Sequence, residues 1–199
     1  MFDSGISVKD LIDELKDEVD IALEIPDATY ITWLNSLQQL LYTEVIKEQS
    51  VKILTPPFQS KAVFLSTIAG NNENAVRFED IHAVYADDIQ LMKSTFASGV
   101  IFPNTYYKGL GQLIFNATVI NYLRIYYYVK PELVNDDNYD IKNVMLPIEF
   151  IELAKSKLRG EAYKLANEDS IAAKWLNDYN VHLETFKAWI ADKAPTFGM

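Results

Sequence analysis

The sequence predicts an α+β protein. Its N- and C-terminal helices are expected to form one helical bundle, with an inserted antiparallel β region of about five to six strands. Three observations lead there. Apolar residues recur at helical spacing near both ends of the chain. The middle alternates instead and is rich in β-branched and aromatic residues. Segment 111–164 joins the two regimes in one order: an aromatic run, a Lys130-Pro131 stop, an acidic loop and a helix opened by Pro147. The expected organisation is a discontinuous helical domain (1–50 and 146–193), an inserted β region (51–145) and a flexible tail (194–199).

Each element has its own signal. Ser7, with Asp10 three residues on, resembles a capping box with Asp in place of Glu. Val8, Leu11, Ile12, Leu15 and Val19 then form one apolar stripe. Pro26 breaks this helix, and Asp27 or Thr29 can cap a second one reaching about Glu48. Ile31, Leu34, Leu37, Leu41 and Val45 give its buried face, widened by Trp33 and Leu40.

From Val51 the period changes to two. Val51 and Ile53, then Ala62 and Phe64, alternate around a Thr55-Pro56-Pro57 break. Residues 70–74 are a loop by composition. Residues 77–86 read as a strand with Ile81, Ala83 and Tyr85 on one face, and Asp87-Asp88 turns it into a strand at 89–93. Residues 95–108 read as irregular, and 110–116 and 119–129 as strands. Tyr122, Arg124, Tyr126 and Tyr128 share one face of the last and Leu123, Ile125 and Tyr127 the other, so it is expected to be central and covered on both sides.

The loop 134–143 is polar. Pro147 suits a first helical position, where a missing N–H is no loss. Ile151, Ala154, Leu158, Ala162 and Leu165 form the third helical stripe. After a turn at 167–170, with Asp169 or Ser170 as cap, Ile171, Trp175, Tyr179, His182, Phe186 and Trp189 or Ile190 form the fourth.

Composition narrows the function. The chain has 199 residues, nearly half hydrophobic, no cysteine and a formal net charge of −10. Disulfides and thiolate metal sites are therefore excluded. Much of the negative charge precedes Asp27, where Lys9 and Lys16 are the only cations. Phosphate contacts need clustered Lys and Arg, so the balance argues against sequence-specific nucleic-acid binding. The start, Met1-Phe2-Asp3-Ser4-Gly5, has neither a basic nor an apolar region, so no secretory signal is expected. No apolar run reaches the roughly 18 residues of a membrane span.

The motifs that carry chemistry fail on physical grounds, and no catalytic residue, cofactor or metal is expected. His82 and His182 are the only histidines, and both read as structural. Asp136, Asn138 and Asp140 open like a calcium loop, but Ile141 stands where Gly is needed and Pro147 where a bidentate Glu is needed. No glycine-rich phosphate loop is present. Tyr122, Tyr126, Tyr127 and Tyr128 could form a stacking face, although strand packing is the simpler use. The alanines at 154, 162, 166, 172 and 173 suit an ordinary αα-hairpin; a helical-repeat solenoid needs stacked copies.

Three features in this order resemble the head–tail connector (adaptor or head-completion) proteins of tailed bacteriophages. They are the N-terminal helix pair with Trp33-Leu34-Asn35, the strand Leu123-Arg124-Ile125-Tyr126-Tyr127-Tyr128 before Lys130-Pro131, and the loop closing on Leu146-Pro147, with Glu149-Phe150 and two C-terminal helices. The resemblance spans most of the chain and implies a helical bundle with a β insertion. It implies a structural virion protein at the head–tail junction, made in the host cytoplasm. Such a protein self-associates into a ring, commonly of twelve copies, docked under the portal protein. The ring extends the DNA channel and receives a tail or stopper protein; no catalytic residue carries over. Residues 76–108 have no counterpart role. Pro195, Thr196 and Phe197 are the candidate partner-binding residues, a segment expected to order on docking. The alternatives are a carbohydrate- or peptide-binding β module on a helical scaffold, for which exposed coplanar tyrosines would speak, and a hydrolase with close carboxylates in a cleft.

Overall fold

The computed structural model describes residues 2–47, 49–58, 61–68, 80–94, 102–109 and 111–193. It has two compact units, Met1–Ile46 with Leu133–Met199, and Lys47–Glu132.

The first unit is helical. Helix α1 (Val8–Glu18) starts where Ser7 accepts the backbone N–H of Asp10 at 3.0 Å. Helix α2 (Asp27–Leu41) runs on into a π-helical turn, Tyr42–Ile46, so the second helix changes geometry well before Glu48. A 3-10 turn at Ile148–Phe150 precedes α3 (Ile151–Leu165). Pro147 is extended (φ −61°, ψ 143°) and precedes that turn, so it serves as a cap position and not as the first residue of the α-helix. Asn167, with φ 63°, makes the left-handed exit from α3, and α4 (Asp169–Lys193) follows.

Val8, Leu11, Ile12 and Leu15 of α1, Leu34 and Leu41 of α2, Leu153, Ala154 and Leu158 of α3 and Phe186 of α4 are fully buried together. Two buried cations on α3 join this core to α1. Lys155 pairs with Glu14 and Arg159 with Glu18, and both also meet Glu152. The four-residue offsets match, so one helical turn on α1 is keyed to one on α3. The side-chain amide of Asn35 brackets Val134, accepting its N–H at 3.0 Å and donating to its carbonyl at 2.7 Å. One turn on, Gln38 accepts the N–H of Met145 at 2.6 Å.

The second unit holds seven strands: β1 (Gln49–Leu54), β2 (Ala62–Phe64), β3 (Ile81–Ala86), β4 (Ile89–Lys93), β5 (Thr105–Gly109), β6 (Gln112–Asn116) and β7 (Leu123–Tyr128). They form one curled, half-barrel sheet in the order β1-β7-β3-β4-β5-β6-β2. This overturns the expected fold class of a bundle with an antiparallel insert of five to six strands. The sheet is mixed, because β4 and β5 run parallel through Met92↔Thr105 and Lys93↔Tyr106. The extra strand is β5, which lies where the sequence reads as irregular. Its first two residues, Thr105 and Tyr106, are both buried, so the period-two signal is lost as the sheet curls.

A bulge explains a second departure. Along β3 the register steps two residues from Ile81 to Ala83 while β7 steps one, from Tyr127 to Tyr126. The extra residue, His82, resets the phase. The buried set is therefore Ile81, Val84 and Ala86, in place of Ile81, Ala83 and Tyr85. Strand β7 lies between β1 and β3, and its Leu123 and Ile125 are fully buried on one side only; Arg124, Tyr126 and Tyr128 are half-buried on the other. Just beyond β7, Lys130 pairs with the buried Asp80 at 2.7 Å.

Candidate functional site

The outer face of β1, β7 and β3 is the surface with the most developed chemistry among the described residues. Residues directly paired across an antiparallel ladder share a face. On that rule Val51 lies beside Tyr126 and Ile53 beside Arg124, and on the far side Tyr85 also adjoins Arg124. Val51 is 45 % and Ile53 56 % exposed, and the two lie next to each other on this face, where they join its aromatics in one apolar surface. On β4, Gln90 pairs with Tyr85, and Met92, two residues on, is exposed.

Aromatic contacts order this face. Tyr85 and Tyr126 meet edge to face, 5.7 Å apart and at 74°. His82, displaced by the bulge, stacks on Tyr128 at 4.8 Å and 24°. Partial desolvation there holds its imidazole below the usual histidine range. The Arg124 guanidinium lies 4.8 Å from the Tyr122 ring centroid and reaches the Tyr126 hydroxyl at 3.4 Å. The hydroxyls of Tyr85 and Tyr128 have no hydrogen-bond partner among the described residues.

The rim is fixed by Asp87, in left-handed backbone (φ 52°) at the β3–β4 turn. Its carboxylate accepts the N–H groups of Ile120, Asn121 and Tyr122 at 3.0, 2.8 and 3.1 Å. These three donors hold its pKa below the usual carboxylate range. The Tyr122 hydroxyl donates to Asp88 at 2.7 Å, which raises the phenol's pKa.

Charge is divided between the two units. Lys47–Glu132 carries eight Lys and Arg against seven Asp and Glu; the rest of the chain carries ten against twenty-one. The described strand residues on the outer face include Arg124 and no carboxylate.

The other sequence candidates fall elsewhere. Pro195, Thr196 and Phe197 lie outside the described residues. His182 Nδ1 is 3.2 Å from Ser156 Oγ; Ser156 is 1 % exposed and His182 half-buried. The loop with Asp136, Asn138 and Asp140 closes on itself: Asn138 Oδ1 accepts from Asn135 N–H, and the Asn138 carbonyl from Ile141 and Lys142. No group of three His, Cys, Asp or Glu among the described residues could hold a metal ion. No helix among them is long and apolar enough to cross a membrane. Of the tyrosine ladder, Tyr126 and Tyr128 come together on the outer face, and Tyr127 points into the core. Sequence reasoning missed His82 and Tyr85 as their partners, and Val51 and Ile53 as exposed neighbours; the bulge hid the first two, and edge position the others.

No protein-family model matches this chain, and no curated protein matches it.

Proposed function

We propose that this chain is a structural assembly protein of the head–tail connector type. In this reading copies form a ring under a phage portal, extend the DNA channel and receive a tail or stopper protein. The observation that carries it is the outer face of β1, β7 and β3, where exposed Val51 and Ile53 adjoin ordered aromatics. Such a surface suits contact with protein. The acid surplus outside Lys47–Glu132 supports the reading further, since a negative wall keeps passing phosphates from adhering. We include Pro195, Thr196 and Phe197 in this proposal as a segment that contributes to portal binding.

A carbohydrate-binding platform has less support. It would use coplanar exposed rings, and Tyr85 and Tyr126 cross at 74°. The test is to mix the chain with the purified portal of the phage that encodes it and image the mixture by electron microscopy. Rings of this chain on the portal are expected. Bare portals at saturating chain concentration overturn the connector reading. Deleting residues 195–199 is expected to weaken binding, and unchanged binding removes that segment from the proposal.

A further inference from the structure

We infer that the outer face of β1, β7 and β3 receives helix α1 of a second copy, Arg124 and the free tyrosine hydroxyls meeting the carboxylate row Asp10, Asp13 and Asp17. This deepens the self-association contained in the proposed function and rests on it.

The argument begins with repulsion. Two chains of net charge −10 repel wherever acidic surfaces meet. The strand residues of the outer face include one guanidinium, apolar Val51 and Ile53 and no described carboxylate, so the strands themselves add no negative charge to an approach; Asp87 and Asp88 stand at the rim, where Asp88 bonds Tyr122. The outer face also offers donors. The Tyr85 and Tyr128 hydroxyls lack described partners, and Arg124 has at most one long bond, to Tyr126. Helix α1 supplies the complement. Asp10, Asp13 and Asp17 follow at three- and four-residue spacing, so they line one side of the helix, and all are exposed. Asp13 pairs with Lys9; Asp10, which also lies in the field of Lys9, and Asp17 make no ion pair among the described residues. Carboxylates accept from guanidinium and phenol groups, and Val51 and Ile53 add apolar area that excludes water from those bonds. The two surfaces differ, so the contact is head-to-tail, the type that gives a ring where the rotation closes and an open filament where it does not.

Sedimentation equilibrium of the full chain, up to near-millimolar concentration and at low and physiological salt, tests this. For the wild type the average mass rises with concentration, and salt reduces the rise. Arg124→Glu and the double variant Asp10→Lys/Asp17→Lys each weaken association by at least about tenfold. Circular dichroism identifies any variant that fails to fold, and Arg124→Gln then replaces Arg124→Glu. Mixing Arg124→Gln with Asp10→Asn/Asp17→Asn, neutral variants that cannot pair by exchanged charges, is decisive. Each retains the surface the other has lost, so a one-to-one dimer forms, without larger species. A wild type that stays monomeric throughout, or variants that associate as it does, or a mixture that does not dimerise, overturns the inference. Portal imaging separates the two claims. Rings that persist with Arg124→Glu overturn this interface and leave the connector reading standing. Head-to-tail association without portal rings does the reverse.

Discussion

Arg159 places its guanidinium 4.6 Å from the ring centroid of Trp175, so one buried cation on α3 ties α4 as well as α1. It reaches Glu18 from one side and Glu152 from the same helix, and is 8 % exposed. Few side chains other than arginine can do this, because the planar fork binds carboxylates at its edge while its face lies on an indole.

Replacing Arg159 with Ala removes the stacking, the charged hydrogen bonds and the packing of its stem. Glu18 and Glu152 are 39 % and 51 % exposed and regain water, so the cost is about 2 kcal/mol and not the larger penalty of stranding a buried charge. Arg159→Lys keeps the charge and loses the fork, costing about half as much. Urea unfolding followed by tryptophan fluorescence reads this cleanly, because Trp33, Trp175 and Trp189 all belong to the helical unit.

Asn35→Ala leaves the N–H and C=O of Val134 without their side-chain partner. The expected loss is about 1–2 kcal/mol in the same fluorescence assay. Asn35→Asp loses at least as much, because a carboxylate cannot donate to the Val134 carbonyl. A loss confined to Asn35→Ala would show that the donor half of the bracket is dispensable.

Gly160 faces Leu176 so closely that an added Cβ would lie 2.7 and 2.8 Å from its side-chain carbons. Alanine in a helix is otherwise favoured by about 1 kcal/mol. Gly160→Ala is therefore expected to destabilise the helical unit, overpacking outweighing propensity. In a Leu176→Ala background the sign reverses, and the same substitution stabilises. A double-mutant cycle with no coupling would refute the close contact.

Asp87 predicts an acid response in the sheet unit. Its folded pKa is below the ordinary 3.8, because three backbone N–H groups donate to it. The stability it contributes is thus fully present above the unfolded value and is lost as pH falls through the folded one. In nuclear magnetic resonance the amide signals of Ile120, Asn121 and Tyr122 titrate together with a midpoint below 3.8, and Asp87→Asn abolishes that titration. The stability gap between wild type and Asp87→Asn, followed by tyrosine near-ultraviolet dichroism, is constant near neutrality and shrinks below about pH 4. A gap that widens in acid would contradict the assignment.

The four helices are legible in the sequence because apolar residues recur at helical spacing in each, most sharply in α1 at Val8, Leu11, Ile12 and Leu15, whereas α3 is buried on more than one side and Leu165 and Ile171 of the expected stripes are exposed. The alternation of the aromatic strand is legible too, Tyr126 and Tyr128 falling opposite Tyr127, but the expected cover on both sides is not found: only the Leu123 and Ile125 side is buried. What was hidden depends on contacts between distant residues. Strand β5 has no alternating pattern, and its partner β4 is parallel. The phase of β3 turns on one extra residue, His82, which local sequence cannot flag. The exposure of Val51 and Ile53 follows from β1 standing at the sheet edge, and strand order is not written in either residue. Asn35 stood out as part of a motif, but its partner Val134 lies 99 positions away.

The split course of the helical unit has a consequence for synthesis. Helices α1 and α2 leave the ribosome first, yet Lys155 and Arg159, which neutralise Glu14 and Glu18, are encoded after the whole sheet. At ordinary elongation speeds α1 and α2 wait on the order of 5–20 s for α3. During that wait Leu11, Leu15, Leu34 and Leu41 have no lid of their own, whereas Lys47–Glu132 can complete its ladders as it emerges. Glu14 and Glu18 of α1 stay without those cations through the wait and gain them only when translation supplies α3.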